Sequence, residues 1–214
     1  MPGRTAAERR DELVLLYHEL GEDHACPLAA TRTHIVFGAG NADADLMFVG
    51  EAPGANEDRQ GKPFVGQAGK LLDTLLAQIG LAREDTFIAN VLKCRPPGNR
   101  DPRPEEIEEC SPYLVRQVEL IEPKVICTLG NFATKLLSGS PAGITRVHGV
   151  PQERTVGSLA VTLYPLFHPA AALRTDAVRR QLEEAVARLP GMLAEARAPA
   201  AAGAEASQLG LFGG

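Results

Sequence analysis

Four short apolar runs, each stopped abruptly by a turn-forming residue and followed by helically spaced apolar residues, constrain this chain more than any other feature of its sequence. Residues 45–49 stop at Gly50-Glu51-Ala52-Pro53-Gly54. Residues 65–79 then place Leu71, Leu72, Leu75, Leu76 and Ile79 at helical intervals before Gly80. Residues 86–90 lead through a loop at 93–104 to a helical stretch from 105 to about 121. Residues 124–129 turn at Gly130 into a helix near 131–137, and residues 159–167 turn at His168-Pro169 into a last helix from about 175 to 197. Ahead of all four, residues 5–20 carry Leu13, Leu16, Tyr17 and Leu20 at the spacing of an amphipathic helix. Strands alternating with helices imply right-handed crossovers. The predicted fold is α/β, a three-layer α/β/α arrangement around a mostly parallel four-stranded sheet.

Open parallel sheets bind ligands in the crevice at the carboxyl ends of their strands. The residues at those ends are Gly50-Glu51, Asn90, Leu129-Gly130 and His168. An amide and an imidazole are thereby expected to converge on one site.

Composition narrows the function classes. The 214 residues suit one domain, at 44% hydrophobic and 23% charged. No apolar run approaches the roughly 20 residues of a membrane span. The charged first ten residues carry no apolar stretch behind a basic one, so no secretory signal is expected and the cytoplasm is the expected compartment. Four cysteines there read as thiols or metal ligands rather than disulfides. With no Trp and 5% aromatics, a broad stacking surface for single strands is not expected. A net charge of −5 argues against a generally basic coat for nucleic acid while leaving room for a local basic face. Residues 198–207 are rich in Ala, Pro and Gly and read as a linker. The expected division is a domain over residues 1–197 and a flexible tail over 198–214.

Four motifs in order carry a family resemblance: Gly50-Glu51-Ala52-Pro53-Gly54-Ala55-Asn56-Glu57-Asp58; Gly61-Lys62-Pro63-Phe64-Val65-Gly66; Asn90-Val91-Leu92-Lys93-Cys94-Arg95-Pro96-Pro97; and His168-Pro169. Together they resemble the iron–sulfur uracil-DNA glycosylases of the family 4 type, over about residues 26–189, with a bacterial member expected. The resemblance implies a uracil-DNA glycosylase-like fold and a monofunctional enzyme that hydrolyses the N-glycosidic bond of uracil in DNA, leaving an abasic site. Such chemistry takes a base out of the stack into a pocket and stabilises the negative charge that the leaving base acquires.

By that resemblance Phe64 is the stacking platform, with Gly50 and Ala52 beside the base. The Asn90 amide donates and accepts at once, matching O4 and N3–H of uracil but not cytosine. His168 donates to O2. Where the best-known uracil glycosylases carry an Asp that positions water, this chain has Ala52. Glu57 is the preferred residue for water or the cationic sugar, with Glu51 second. Cys94 and Cys110, which enclose 15 residues, look like the last two ligands of a [4Fe-4S] cluster. Cys26 matches the second ligand of the family's early Cys-x-x-Cys pair, whose first position here is Asp23, with His24 next to it. Asp23 is therefore the expected fourth ligand of a labile cluster, while Cys127, inside an apolar run, reads as a core residue.

Arg95 and Arg100, in a basic loop with Lys93 and Arg103, are expected to grip DNA phosphates together with Arg146 and Arg174, and residues 170–174 resemble the family's segment that enters the duplex at the flipped base, which implies Leu173 as the wedge. A covalently trapping relative carries a nucleophilic histidine in a longer insertion after the second strand. Residues 93–104 contain no histidine, so turnover is expected. The terminal Gln208, Leu209, Leu211 and Phe212 look like the motif by which bacterial repair proteins dock on the replication sliding clamp. The expected partners are thus uracil-containing DNA and the clamp, and a monomer located with the nucleoid is expected. Two rival readings are a non-catalytic iron–sulfur DNA-binding or redox module, and a flavodoxin-like nucleotide binder. The second lacks a Gly-x-Gly-x-x-Gly or Walker pattern after the first strand.

Overall fold

The structure, a computed structural model, describes residues 4–23 and 26–197, without the side chains of Glu22, Asp23 and Arg197. The expected fourth cluster ligand, the Asp23 side chain, and the expected clamp motif at 208–212 thus lie outside the described residues.

The described strands are β1 (Ala39–Gly40), β2 (Leu46–Gly50), β3 (Phe87–Asn90), β4 (Val125–Leu129), β5 (Gln152–Val156) and β6 (Leu159–Leu166), in the sheet order β1-β3-β2-β4-β6-β5. The four expected strands form the parallel centre, and two antiparallel edge strands make the sheet six-stranded rather than four-stranded. Neither edge has an apolar signature. β1 is two residues long, and β5 (Gln-Glu-Arg-Thr-Val) turns polar side chains outward and is folded back on β6 at Gly157, whose φ of 60° suits a tight turn.

Helices α1 (Ala6–Asp23), α2 (Ala55–Gln60), α3 (Gln67–Gln78), α4 (Pro104–Ile121), α5 (Asn131–Ser138), α6 (Ile144–Val147), α7 (Pro169–Ala172), α8 (Asp176–Val186) and α9 (Leu189–Arg197) flank the sheet. The pleat divides the core between the two faces. In β2, Met47 and Val49 pack with Leu16 and Leu20 of α1 and Val118 of α4, while Leu46 and Phe48 pack with Leu72 and Leu76 of α3, Leu182 of α8 and Leu189 of α9. Cys127 is buried in this second layer, as expected of a core residue. The predicted last helix is broken in two. Pro190 lacks the N–H that would continue α8, so the chain stops at Val186 and restarts at Leu189. A further single turn, α7, follows His168 directly.

Candidate active site

The ends of β2 and β3 meet in register, with Gly50 opposite Asn90. On the other side Leu129 pairs with Leu166, and the Gly130 N–H donates to the Leu166 carbonyl at 2.8 Å, bringing His168 to the same rim. A hollow of about 460 Å3 opens there, and Glu51, Ala52, Glu57, Phe64, Asn90, Arg100 and His168 are among the residues lining it. Three groups spread over 105 positions of sequence thus share one cavity.

Each wall has a local cause. Gly50 is required by close approach: a Cβ there would stand 2.4 Å from Asn90 Oδ1 and 2.8 Å from the Phe64 ring. Asn90 is 2% exposed, and its Oδ1 is the one buried side-chain polar atom without a hydrogen-bond partner among the described residues. A buried acceptor left unmet in the free protein is a site prepared for a donor from elsewhere. Phe64, 6% exposed, has a φ of 52°, and its ring lies 5.6 Å from that of His168 at an interplanar angle of 29°.

His168 caps α7. Its Nδ1 accepts the Ala170 N–H at 3.1 Å, so the neutral ring carries its proton on Nε2 and can donate from there. Burial pushes its pKa down to about 4 against a partial opposing pull from the Glu57 carboxylate, so the ring is neutral at physiological pH. The Glu57 Oε1 accepts the Val65 and Gly66 N–H groups, both at 2.9 Å, which ties this carboxylate to the loop carrying Phe64. Burial, aided by the nearby Asp101 carboxylate, raises the pKa of Glu51. Behind the rim, the imidazole of His148 stacks on Phe167 at 4.1 Å, accepts the Phe167 N–H at Nδ1 and reaches the Gln181 carbonyl with Nε2.

The basic residues separate. Lys93 does not belong to a phosphate-gripping loop: it is fully buried beneath the end of β3, and its ammonium donates to the Asn90 carbonyl at 2.8 Å and to Gln117 Oε1 at 2.6 Å. Arg100 lines the hollow but is forked onto the buried carboxylate of Glu106, and Arg95 donates to Asn99. Arg146, Leu173 and Arg174 are exposed and do not line the cavity.

The three expected cysteine ligands do meet. Cys26, Cys94 and Cys110 are buried, and the Cys26 thiol is hydrogen-bonded with both others, which together with burial pushes their pKa values up. Arg32 donates to the Cys94 sulfur at 3.1 Å, and the Lys93 N–H to that of Cys110 at 3.4 Å. Among the described residues no group of three or more His, Cys, Asp or Glu side chains is arranged to hold a metal ion.

Two site-building residues are missing from the sequence reading. Arg83 and Gly69 carry no legible signal, since an arginine in a short turn and a glycine within a helix pattern look like a surface charge and a weak helix position.

Comparison with known proteins agrees with this geometry. The model of the uracil DNA glycosylase superfamily matches residues 37–189, from the approach to β1 as far as the start of α9. The chain is 47% identical to a type-4 uracil-DNA glycosylase of Saccharolobus solfataricus, over 81% of this chain and 83% of that protein. Against the type-4 enzyme of Archaeoglobus fulgidus the identity is also 47%, over 82% and 89%. Against that of Thermotoga maritima it is 46%, over 77% and 85%. With the matched span enclosing every residue that lines the hollow, this chain belongs to the uracil DNA glycosylase superfamily and groups there with the type-4 uracil-DNA glycosylases.

Proposed function

We propose that the chain removes uracil from DNA by hydrolysing its N-glycosidic bond in this hollow. The supporting observation is the unpartnered Oδ1 of Asn90, buried at the hollow that the Phe64 ring and the His168 imidazole also line. A flipped uracil stacks on Phe64 between Gly50 and Ala52, presents N3–H to Oδ1 and receives a bond at O4 from the Asn90 amide. Cytosine turns a lone pair at N3 toward the same oxygen and is rejected. As the C1′–N1 bond breaks, its electron pair goes to the base and accumulates at O2, which takes a hydrogen bond from His168 Nε2–H. The sugar becomes an oxocarbenium-like cation. Glu57, with Glu51 as the second carboxylate at the rim, holds the water that adds to C1′ and receives its proton, leaving uracil and an abasic site. Cleavage of a uracil-containing oligonucleotide by the parent, Asn90→Ala and His168→Ala proteins is the test; activity surviving both substitutions rejects the assignment.

The same proposal places a [4Fe-4S] cluster on Cys26, Cys94 and Cys110 with Asp23 as fourth ligand, the donor set being supported by the convergence of three buried thiols from distant segments. The cluster would fasten the early loop to the loop after β3, and no bond-breaking step needs it. Anaerobically purified protein is expected to contain iron and sulfide, more firmly held in Asp23→Cys; no iron in either protein rejects the cluster.

DNA is held by Arg95, Arg100, Arg146 and Arg174, with Leu173, 48% exposed beside α7, as the wedge. Gln208, Leu209, Leu211 and Phe212 dock the chain on a bacterial sliding clamp, and a bacterial source, a monomeric state and a nucleoid-associated cytoplasmic location belong to the same reading. None of the described helices is long and apolar enough to cross a membrane. Removing residues 207–214 is expected to abolish clamp binding while excision from free oligonucleotides continues; unchanged clamp affinity refutes the docking role.

A further inference from the structure

We propose that Arg83 is a positioning residue for base recognition, holding Phe64 in the backbone conformation that turns its ring into the hollow. The inference rests on Phe64 being the surface on which uracil stacks. A left-handed backbone at φ 52° is uncommon for a bulky side chain and persists only where the surroundings enforce it. Two features enforce it here.

The first is a guanidinium clamp. From a short turn at Arg83–Asp85, Arg83 donates through Nη1 to the Phe64 carbonyl at 2.8 Å and through Nη2 to the Pro63 carbonyl. Asp73 of α3 orients the fork, accepting from Nη1 at 3.0 Å. One planar group thus fixes two successive carbonyls across a bend, a task that suits the rigid donor fork of arginine and not the single ammonium of lysine. The second is Gly69. A Cβ at this position of α3 would stand 1.7 Å from the Phe64 carbonyl oxygen, so the helix lies against the bend only because residue 69 has no side chain. The ring that results touches the space above Gly50 and stacks near His168. Arg83 itself does not line the hollow, so its influence on a bound base runs through Phe64.

The experiment is a double-mutant cycle on the full chain. It compares the parent, Arg83→Ala, Phe64→Ala and the double variant in single-turnover excision from a uracil-containing oligonucleotide and in inhibition by free uracil. Arg83→Ala is expected to slow excision by about tenfold and to weaken uracil inhibition to a similar degree, because a displaced ring misplaces the base. In the Phe64→Ala background the same substitution is expected to change either quantity by less than about twofold, there being no ring left to position. A lower folded fraction would instead reduce activity equally in both backgrounds. Equal losses with and without Phe64 therefore overturn the role of Arg83 while leaving the stacking reading intact. Phe64→Ala with unaltered excision and uracil inhibition removes the stacking reading and the inference with it. Should Arg83→Ala not fold, Arg83→Lys, which keeps the charge beside Asp73 but not the fork, and Gly69→Ala, which presses on the same carbonyl, complete the cycle with the same criterion.

Discussion

An Asn90→Leu protein is expected to lose about a thousandfold or more in kcat/KM for uracil excision and yet to unfold no more easily than the parent. The two halves have one cause. Asn90 Oδ1 is buried and has no hydrogen-bond partner among the described residues, so no bond within the protein offsets its burial. An apolar side chain of similar volume relieves this cost, and the melting temperature should stay level or rise. Catalysis has the opposite dependence. A site built to bond a polar edge discriminates by about 10^4 to 10^5 against partners that leave it unmatched, and in the proposed binding mode the variant leaves both N3–H and O4 of uracil unmatched. Melting curves and single-turnover rates on one preparation check both. A stability loss comparable to that of a core truncation, about 2 kcal/mol or more, would show that Oδ1 has a partner within the protein.

The second large effect is at His168. Replacing it with Ala is expected to lower kcat by about 10^2 to 10^3, the usual consequence of losing one donor aimed at a developing anion. Its titration adds a separate signature. Burial holds the folded pKa near 4, below the 6.5 of a free imidazole, so the unfolded chain takes up the proton first on acidification. The contribution of His168 to stability is therefore fully present above pH 6.5 and is lost as the pH falls to about 4, a total on the order of 3 kcal/mol. Burial also lowers the pKa of His148 and acts in the same direction. Thermal melts from pH 7.5 to 4 should show a shallower decline in His168→Ala than in the parent; parallel curves would exclude His168 as a contributor.

The central sheet and the converging site were legible because they depend on local rules. Apolar runs such as Leu46–Gly50 and Val125–Leu129 are buried on both faces, and parallel order puts their carboxyl ends on one rim. Asn90 and His168 were therefore locatable from position alone. Phe64 lies in a loop and Glu57 in the six-residue helix α2, segments whose path no periodicity describes, and the family resemblance was needed to single them out. What escaped depends on long-range packing. β5 is polar because it forms an edge, the break between α8 and α9 hangs on one proline, and Lys93 reads as surface charge until Gln117 and the Asn90 carbonyl are seen enclosing its ammonium. Arg83 acts across 19 residues on a carbonyl that carries no side-chain signature.

At the end of β2 the bare backbone of Gly50 is packed directly against Asn90 and Phe64, and this limits how far the enzyme can be redesigned. Since a Cβ at Gly50 would strike Asn90 Oδ1 and the Phe64 ring, mutation there can only displace these two side chains. Enlarging the chamber toward a two-ring base has to begin at Pro53, Gln67 or Pro96, where side chains line it and shortening them would free volume.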